Sequence, residues 1–219
     1  MNTVYTYYEP VAGIDESAQQ AEIAVWRESW ARWGWIPVVL GHPDYPRHLS
    51  PSALDHLAAL PTVNPLGYDL ACYVRWWAMK GRGGGLLVDY DVVNIGLRPE
   101  DLSPAEETTP ILILAGKRVP CAVQLTASGA ADWCEMLLAY KVRPDDLHQG
   151  RPHISDQEIL RRTHDPRIFT WEICQEPREM DLHTKLLHVS HEAMDTMGLV
   201  GMRRHDVMRV LAGLKAWRA

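Results

Sequence analysis

The chain has 219 residues and a formal net charge of −6, with 22 Lys and Arg against 28 Asp and Glu. A chain of this size buries roughly 70% of its unfolded surface as one large or two small domains, so it needs no disulfide or metal staple to fold. The acidic balance does not advertise a long basic face that grips nucleic acid through its phosphates, and it leaves room for a local basic groove.

Cys72, Cys121, Cys134 and Cys174 are widely spaced with no CxxC pair. That spacing argues against a zinc ribbon or a redox motif and suits reduced thiols in a cytoplasm. Residues 1–10 are polar and aromatic, and no apolar run approaches the roughly 18 residues of a membrane span. A soluble, cytoplasmic protein without a membrane partner is expected.

In chain order, residues 3–8 are β-branched and aromatic and predict a strand, and residues 15–33 follow with helical periodicity. Trp26, Trp30 and Trp33 fall at i, i+4 and i+7 of that helix, which is the spacing of a buried stripe. Gly34 stops it, and residues 35–40 read as a second strand. A β-α-β start of this kind belongs to a parallel sheet flanked by helices. Ser50 caps a short helix that Pro51 begins, over residues 52–60, and a longer helix over residues 66–80 ends at Gly81.

Beyond residue 90, residues 98–110 are acidic, contain proline and suit a surface loop. Residues 111–115 and 122–126 read as strands paired through a Gly116-Lys117 turn. Residues 128–141 predict a helix with Trp133, Leu137 and Leu138 on its apolar side, and residues 143–152 a polar loop. Residues 154–162 follow as a helix, 168–174 and 186–189 as strands, and 201–217 as a closing helix. A single α/β domain accounts for the whole chain, with no internal repeat.

The segment richest in chemistry is Gly83-Gly84-Gly85-Leu86-Leu87-Val88 followed by Asp89-Tyr90-Asp91. Side chains alternate along a strand, so the two carboxylates share a face if the strand runs on through them. Carboxylate oxygens without nearby thiols suit a hard cation such as Mg2+ or Mn2+, which keeps coordination sites for water and for substrate phosphates. The substrate implied is a nucleotide or a phosphate ester. Two solvated aspartates closing a strand in a turn are the alternative reading of the bare pair.

Tyr73-Val74-Arg75-Trp76-Trp77 together with Gly84-Gly85-Leu86-Leu87-Val88-Asp89-Tyr90-Asp91-Val92 resembles the sugar-nucleotide region of GT-A fold glycosyltransferases with a DXD motif. The resemblance is motif-specific over 73–92 and architectural elsewhere. It implies a GT-A-like (Rossmann-like) mixed, mostly parallel sheet flanked by helices in a single domain over 1–219. A nucleotide-binding half would span about 1–96 and an acceptor-side half about 97–219. Such families carry Ser-Asp ahead of the arginine where this chain has Ala71-Cys72, so the sugar contact of that aspartate is not expected here.

The resemblance implies a UDP- or GDP-sugar donor whose diphosphate is held through Mn2+ or Mg2+. Asp91 would be the direct ligand, with Asp89 on the metal shell or the ribose. A late histidine, His188 or else His191, would add a ligand, and His188 is favoured because it ends an apolar run as Asp89 does. Tyr5, Thr6 and Tyr7, at the end of the first strand, would line the base, where stacking contributes about 1–3 kcal/mol. Arg75 would reach a donor phosphate or sugar hydroxyl.

Ser155-Asp156-Gln157-Glu158 is a capping box by local chemistry. By resemblance it is the acidic segment beside the acceptor, with Asp156 turned outward, as general base if the reaction inverts and with no dedicated base needed if it retains, and Gln157 touching substrate. The acceptor is a saccharide, a small molecule, a protein side chain or a hydroxylated DNA base, the last as in some phage-encoded transferases acting in a host cytoplasm.

Two other readings compete. A haloacid-dehalogenase-like phosphatase would use Asp89 as nucleophile, but that motif belongs near a chain's start, and the later aspartate pair could only be Asp145-Asp146. A non-catalytic nucleotide-sugar-binding module would keep the fold without turnover. A calcium loop fails because Val93 and Asn94 stand where an EF-hand needs an oxygen ligand and a glycine.

Overall fold

The computed structural model describes residues 2–163 and 165–214. The chain opens with β1 (Thr3–Tyr7), α1 (Glu16–Arg32) and β2 (Ile36–Leu40), and β1 and β2 pair in parallel as the β-α-β pattern requires. Asp15 caps α1 by accepting from the backbone N–H groups of Ser17 and Ala18. Next come α2 (Pro51–Ala58), capped by Ser50, and α3 (Tyr68–Gly81), which includes Gly81 as its last residue. β3 (Gly85–Val88) pairs in parallel with β1. β4 (Val92–Asn94) then leaves for the opposite edge of the sheet.

β5 (Ile111–Ala115) and β6 (Ala122–Leu125) form the expected antiparallel pair, with a 3-10 turn at Gly116–Arg118 between them. After α4 (Ala127–Ala139), the segment read as a loop carries a small hairpin of β7 (Leu147–His148) and β8 (Arg151–Pro152). α5 (Asp156–Arg162), β9 (Ile168–Gln175) and β10 (Leu186–His188) follow. A short helix α6 (His191–Thr196), capped by Ser190, falls where none was expected, because six residues are too few to show periodicity. α7 (Arg204–Leu214) closes the described chain, and Trp217 of the predicted helix lies outside the described residues.

The strand order is β2-β1-β3-β6-β5-β9-β10-β4. The sheet is mixed: β1 to β2, β1 to β3, β5 to β9 and β9 to β10 run parallel, and the other neighbours antiparallel. Alternation along β3 sends Leu87 into a core with Val74, Trp77 and Trp133, under α3 and α4. Leu86 and Val88 point to the other face, where Trp26 and Trp30 of α1 cover them. The tryptophan stripe is therefore core, with Trp33 half-buried at its end. Leu138 departs from expectation at 36% exposed, because α4 turns Trp133, Cys134 and Leu137 inward instead.

The largest correction concerns Asp89 and Asp91. The strand does not run through them. β3 stops at Val88, and residues 89–91 form a turn closed by the Val92 N–H donating to the Asp89 carbonyl at 3.0 Å. Aspartate stabilises such turns through its short acceptor side chain. The two carboxylates meet because the backbone turns, not because side chains alternate.

Candidate functional site

β1 and β3 are neighbours running the same way, so Tyr8 and Asp89 emerge together at the carboxyl edge of the sheet. That edge is where ligands enter open α/β sheets. β10 supplies the third element: its antiparallel pairing with β4 sets His188 opposite Val92, and the Val189 N–H donates to the Asp91 carbonyl at 2.9 Å. The ligand atoms of Asp89, Asp91 and His188 consequently all lie within 4.8 Å of one another.

Each aspartate is held by an arginine. Arg75, on α3 and 7% exposed, bonds Asp89 through Nη1. Its Nη2 donates to Asp156 at 2.7 Å and to the Pro120 carbonyl at 3.3 Å. On the other side, Arg204 Nη1 stands 3.2 Å from Asp91 Oδ2, and its Nε and Nη2 grip Glu22 at 2.9 and 2.5 Å. His188 Nε2 lies 3.5 Å from Asp91 Oδ1, a buried oxygen that has no hydrogen-bond partner.

These neighbours set the charges. Burial raises the Asp89 carboxyl above its ordinary range, and Arg75 opposes that rise. Burial acts the same way on Asp91, but the His188 and Arg204 cations outweigh it and hold that carboxyl below its usual value. For His188 itself, burial is overcome by Cys121 and Asp91, which hold the imidazole well above its ordinary range. Asp91 is thus the more firmly ionised of the pair.

A cavity of about 280 Å3 opens at Asp89 and Asp91, lined also by Tyr7, Tyr8, Tyr90, Gln19, Glu22 and Arg204. The Tyr8 and Tyr90 rings meet edge to face at 6.2 Å. Gln19 donates to the Tyr90 hydroxyl at 2.8 Å, leaving its buried Oε1 without a partner. A second cavity, of about 390 Å3, lies beyond His188 and is lined by Cys121, Cys174, Gly116, Glu172 and Glu176. His188 stands on its wall, so the cluster borders both spaces.

The sequence-predicted residues sort clearly. Tyr7, Arg75, Asp89, Asp91 and His191 line the first cavity. His191, exposed at the start of α6, sits at its margin outside the close ligand group. Tyr5 packs into the core under α3 and Thr6 is fully buried, and neither lines either of these two cavities.

Asp156 does not turn outward. It is 4% exposed and accepts from both Arg75 and the Trp76 indole at 3.0 Å, while Trp76 stacks on Trp133 at 4.3 Å. Ser155 caps the helix by accepting from the Glu158 N–H, but among the described residues the reciprocal bond of the expected capping box is absent, the Glu158 carboxylate pairing with Arg161 instead, and the Asp156 carboxylate faces inward. Gln157 beside it is half-buried and lines neither cavity. Asp89, the nucleophile of a phosphatase reading, is ion-paired rather than free.

Sequence reasoning missed Gln19, Glu22, Tyr90 and Arg204, and it singled out Tyr5, Thr6 and Tyr7 from the aromatic run that Tyr8 ends. Tyr90 was legible, since it sits between the aspartates. Glu22 and Arg204 were not, because the pair joins positions 182 residues apart and each reads locally as a solvated helix charge.

No protein-family model and no curated protein sequence matches the chain. In structure it is similar to a glycosyltransferase involved in the glycosylation of the major capsid of PBCV-1, with a TM-score of 0.58 over 95% of this chain and 98% of that one, at 9% identity. The chain has a GT-A-like glycosyltransferase fold, with an Asp-Xaa-Asp turn at the carboxyl edge of its sheet.

Proposed function

We propose that the protein is a metal-dependent glycosyltransferase that moves a sugar from a UDP- or GDP-sugar to a hydroxyl acceptor. The observation that carries this reading is the meeting of Asp89, Asp91 and His188 beside a cavity in a glycosyltransferase-like fold. Two carboxylates and an imidazole form a donor set suited to Mn2+ or Mg2+, and the unpartnered, buried Oδ1 of Asp91 is the atom such an ion would satisfy. When bound, the ion supplies positive charge that stabilises the departing nucleoside diphosphate by several kcal/mol.

Tyr7 and Tyr8 flank the nucleoside in this reading, and Asp91 and His188, the imidazole giving up its proton as the ion binds, would hold the ion with Asp89 beside it. Arg75 keeps Asp89 in place, and Asp156 anchors Arg75, so Asp156 is a positioning residue. In the transfer, the bond from the anomeric carbon to the phosphate oxygen breaks, and its electron pair leaves with the diphosphate. The acceptor oxygen bonds that carbon and gives its proton to water or to a base. The acceptor approaches from the second cavity, whose Glu172 and Glu176 suit hydroxyl-rich molecules and disfavour a nucleic-acid backbone. Donor contacts come mainly from residues 1–96, and acceptor contacts from residues 97–219.

The test is thermal unfolding with UDP or GDP and Mn2+. A ligand at a hundred times its Kd stabilises the folded state by about 2.7 kcal/mol, or roughly 5–10 °C for a chain of this size. Asp91→Asn is expected to abolish that gain. No shift with either diphosphate and metal overturns the proposal.

A further inference from the structure

Arg204 has a position that a purely structural ion pair does not require. Glu22 is 5% exposed and already takes two of its N–H groups, fixing the guanidinium plane on α1. The remaining edge, Nη1, is turned away from Glu22, toward Asp91 Oδ2 at 3.2 Å and toward the cavity that Arg204 helps to line. Among the described residues of that cavity wall, Arg75 and Arg204 are the arginines, and Arg75 has both Nη atoms engaged by Asp89, Asp156 and the Pro120 carbonyl. Arg75 keeps a buried Nε without a partner, but the arginine donor that stands beside Asp91 is Arg204 Nη1.

We propose that Arg204 is a diphosphate-binding residue that exchanges partners. Without ligand its Nη1 pairs with Asp91; with a nucleoside diphosphate and a divalent cation, the cation takes Asp91 and Nη1 turns to a phosphate oxygen. Glu22 holds the guanidinium in place through the exchange, so little side-chain freedom is lost on binding. The planar fork matches this task, since one edge binds a carboxylate while another serves a phosphate. The inference rests on the glycosyltransferase reading and adds a coupling to it: metal and diphosphate bind together, because each removes the other's obstacle at Asp91.

The exchange predicts effects of opposite sign. In Arg204→Gln, Asp91 loses a competing cation, so Mn2+ alone should bind several-fold more tightly. UDP or GDP in the presence of Mn2+ should bind about ten- to a hundred-fold more weakly, the loss of one charge-assisted hydrogen bond. Uridine or guanosine should bind unchanged. Titration calorimetry on the full chain reads all three, and the double variant Glu22→Gln/Arg204→Gln repeats them without an unpaired buried carboxylate. If Mn2+ and diphosphate affinities fall together in both variants, Arg204 is merely structural. If the diphosphate affinity does not change, the exchange is wrong while the glycosyltransferase reading stands. If the wild-type chain binds neither diphosphate with Mn2+, both fall.

Discussion

Arg75 is the residue on which the floor of the site depends. It is buried with Asp156, their side chains 9% and 5% exposed, and it reaches Asp89 as well. A buried charge stripped of its partner is costly, so Arg75→Met should lower unfolding stability by about 3–5 kcal/mol, measured by urea denaturation. Asp156→Asn separates two roles. A general base would lose turnover with donor binding intact. A positioning residue would lose Mn2+-dependent diphosphate binding and turnover together, because Arg75 would no longer hold Asp89 in register. The sequence marked Arg75 and Asp156 as chemically interesting yet gave no sign that they touch, since 81 residues separate them.

At the scale of elements, the strands and most helices were legible, because β-branched runs, proline starts and serine caps are local signals. The turn at residues 89–91 was not, since a three-residue turn and a continuing strand share the same apolar approach. What ends β3 is the departure of β4 to pair with β10 at the far edge of the sheet. Gly84 governs the other end of β3. Its φ of +87° lies in the left-handed region, and a Cβ there would stand 2.5 Å from the Leu125 carbonyl oxygen, which belongs to backbone that cannot yield. Gly84→Ala should cost at least about 2 kcal/mol from strain and overlap together. Gly13→Ala is the control, with a φ of +84° and open space around its Cβ, and should cost only about 1 kcal/mol. Equal losses on thermal unfolding would show that the overlap at Gly84 is relieved by movement of β6.

At the scale of the molecule, the division expected at about residue 96 does not separate two bodies. β3, from the first half, finds its second neighbour in β6, and β4 finds its in β10. A third core cluster sets Val25 of α1 and Val93 of β4 against Leu187 of β10 and Met208 of α7. Cutting at residue 96 therefore exposes a face of both halves and leaves β3 and β4 with unpaired edges. Residues 1–96 expressed alone should lack a cooperative melt, and the full chain should unfold in one transition that coincides by far- and near-ultraviolet circular dichroism. Because Glu22 and Arg204 tie α1 to α7 at the cavity wall, Mn2+ with UDP or GDP should move that whole transition upward without splitting it. Two resolved transitions, only one of them moved by ligand, would mean that donor binding is confined to a unit that folds independently.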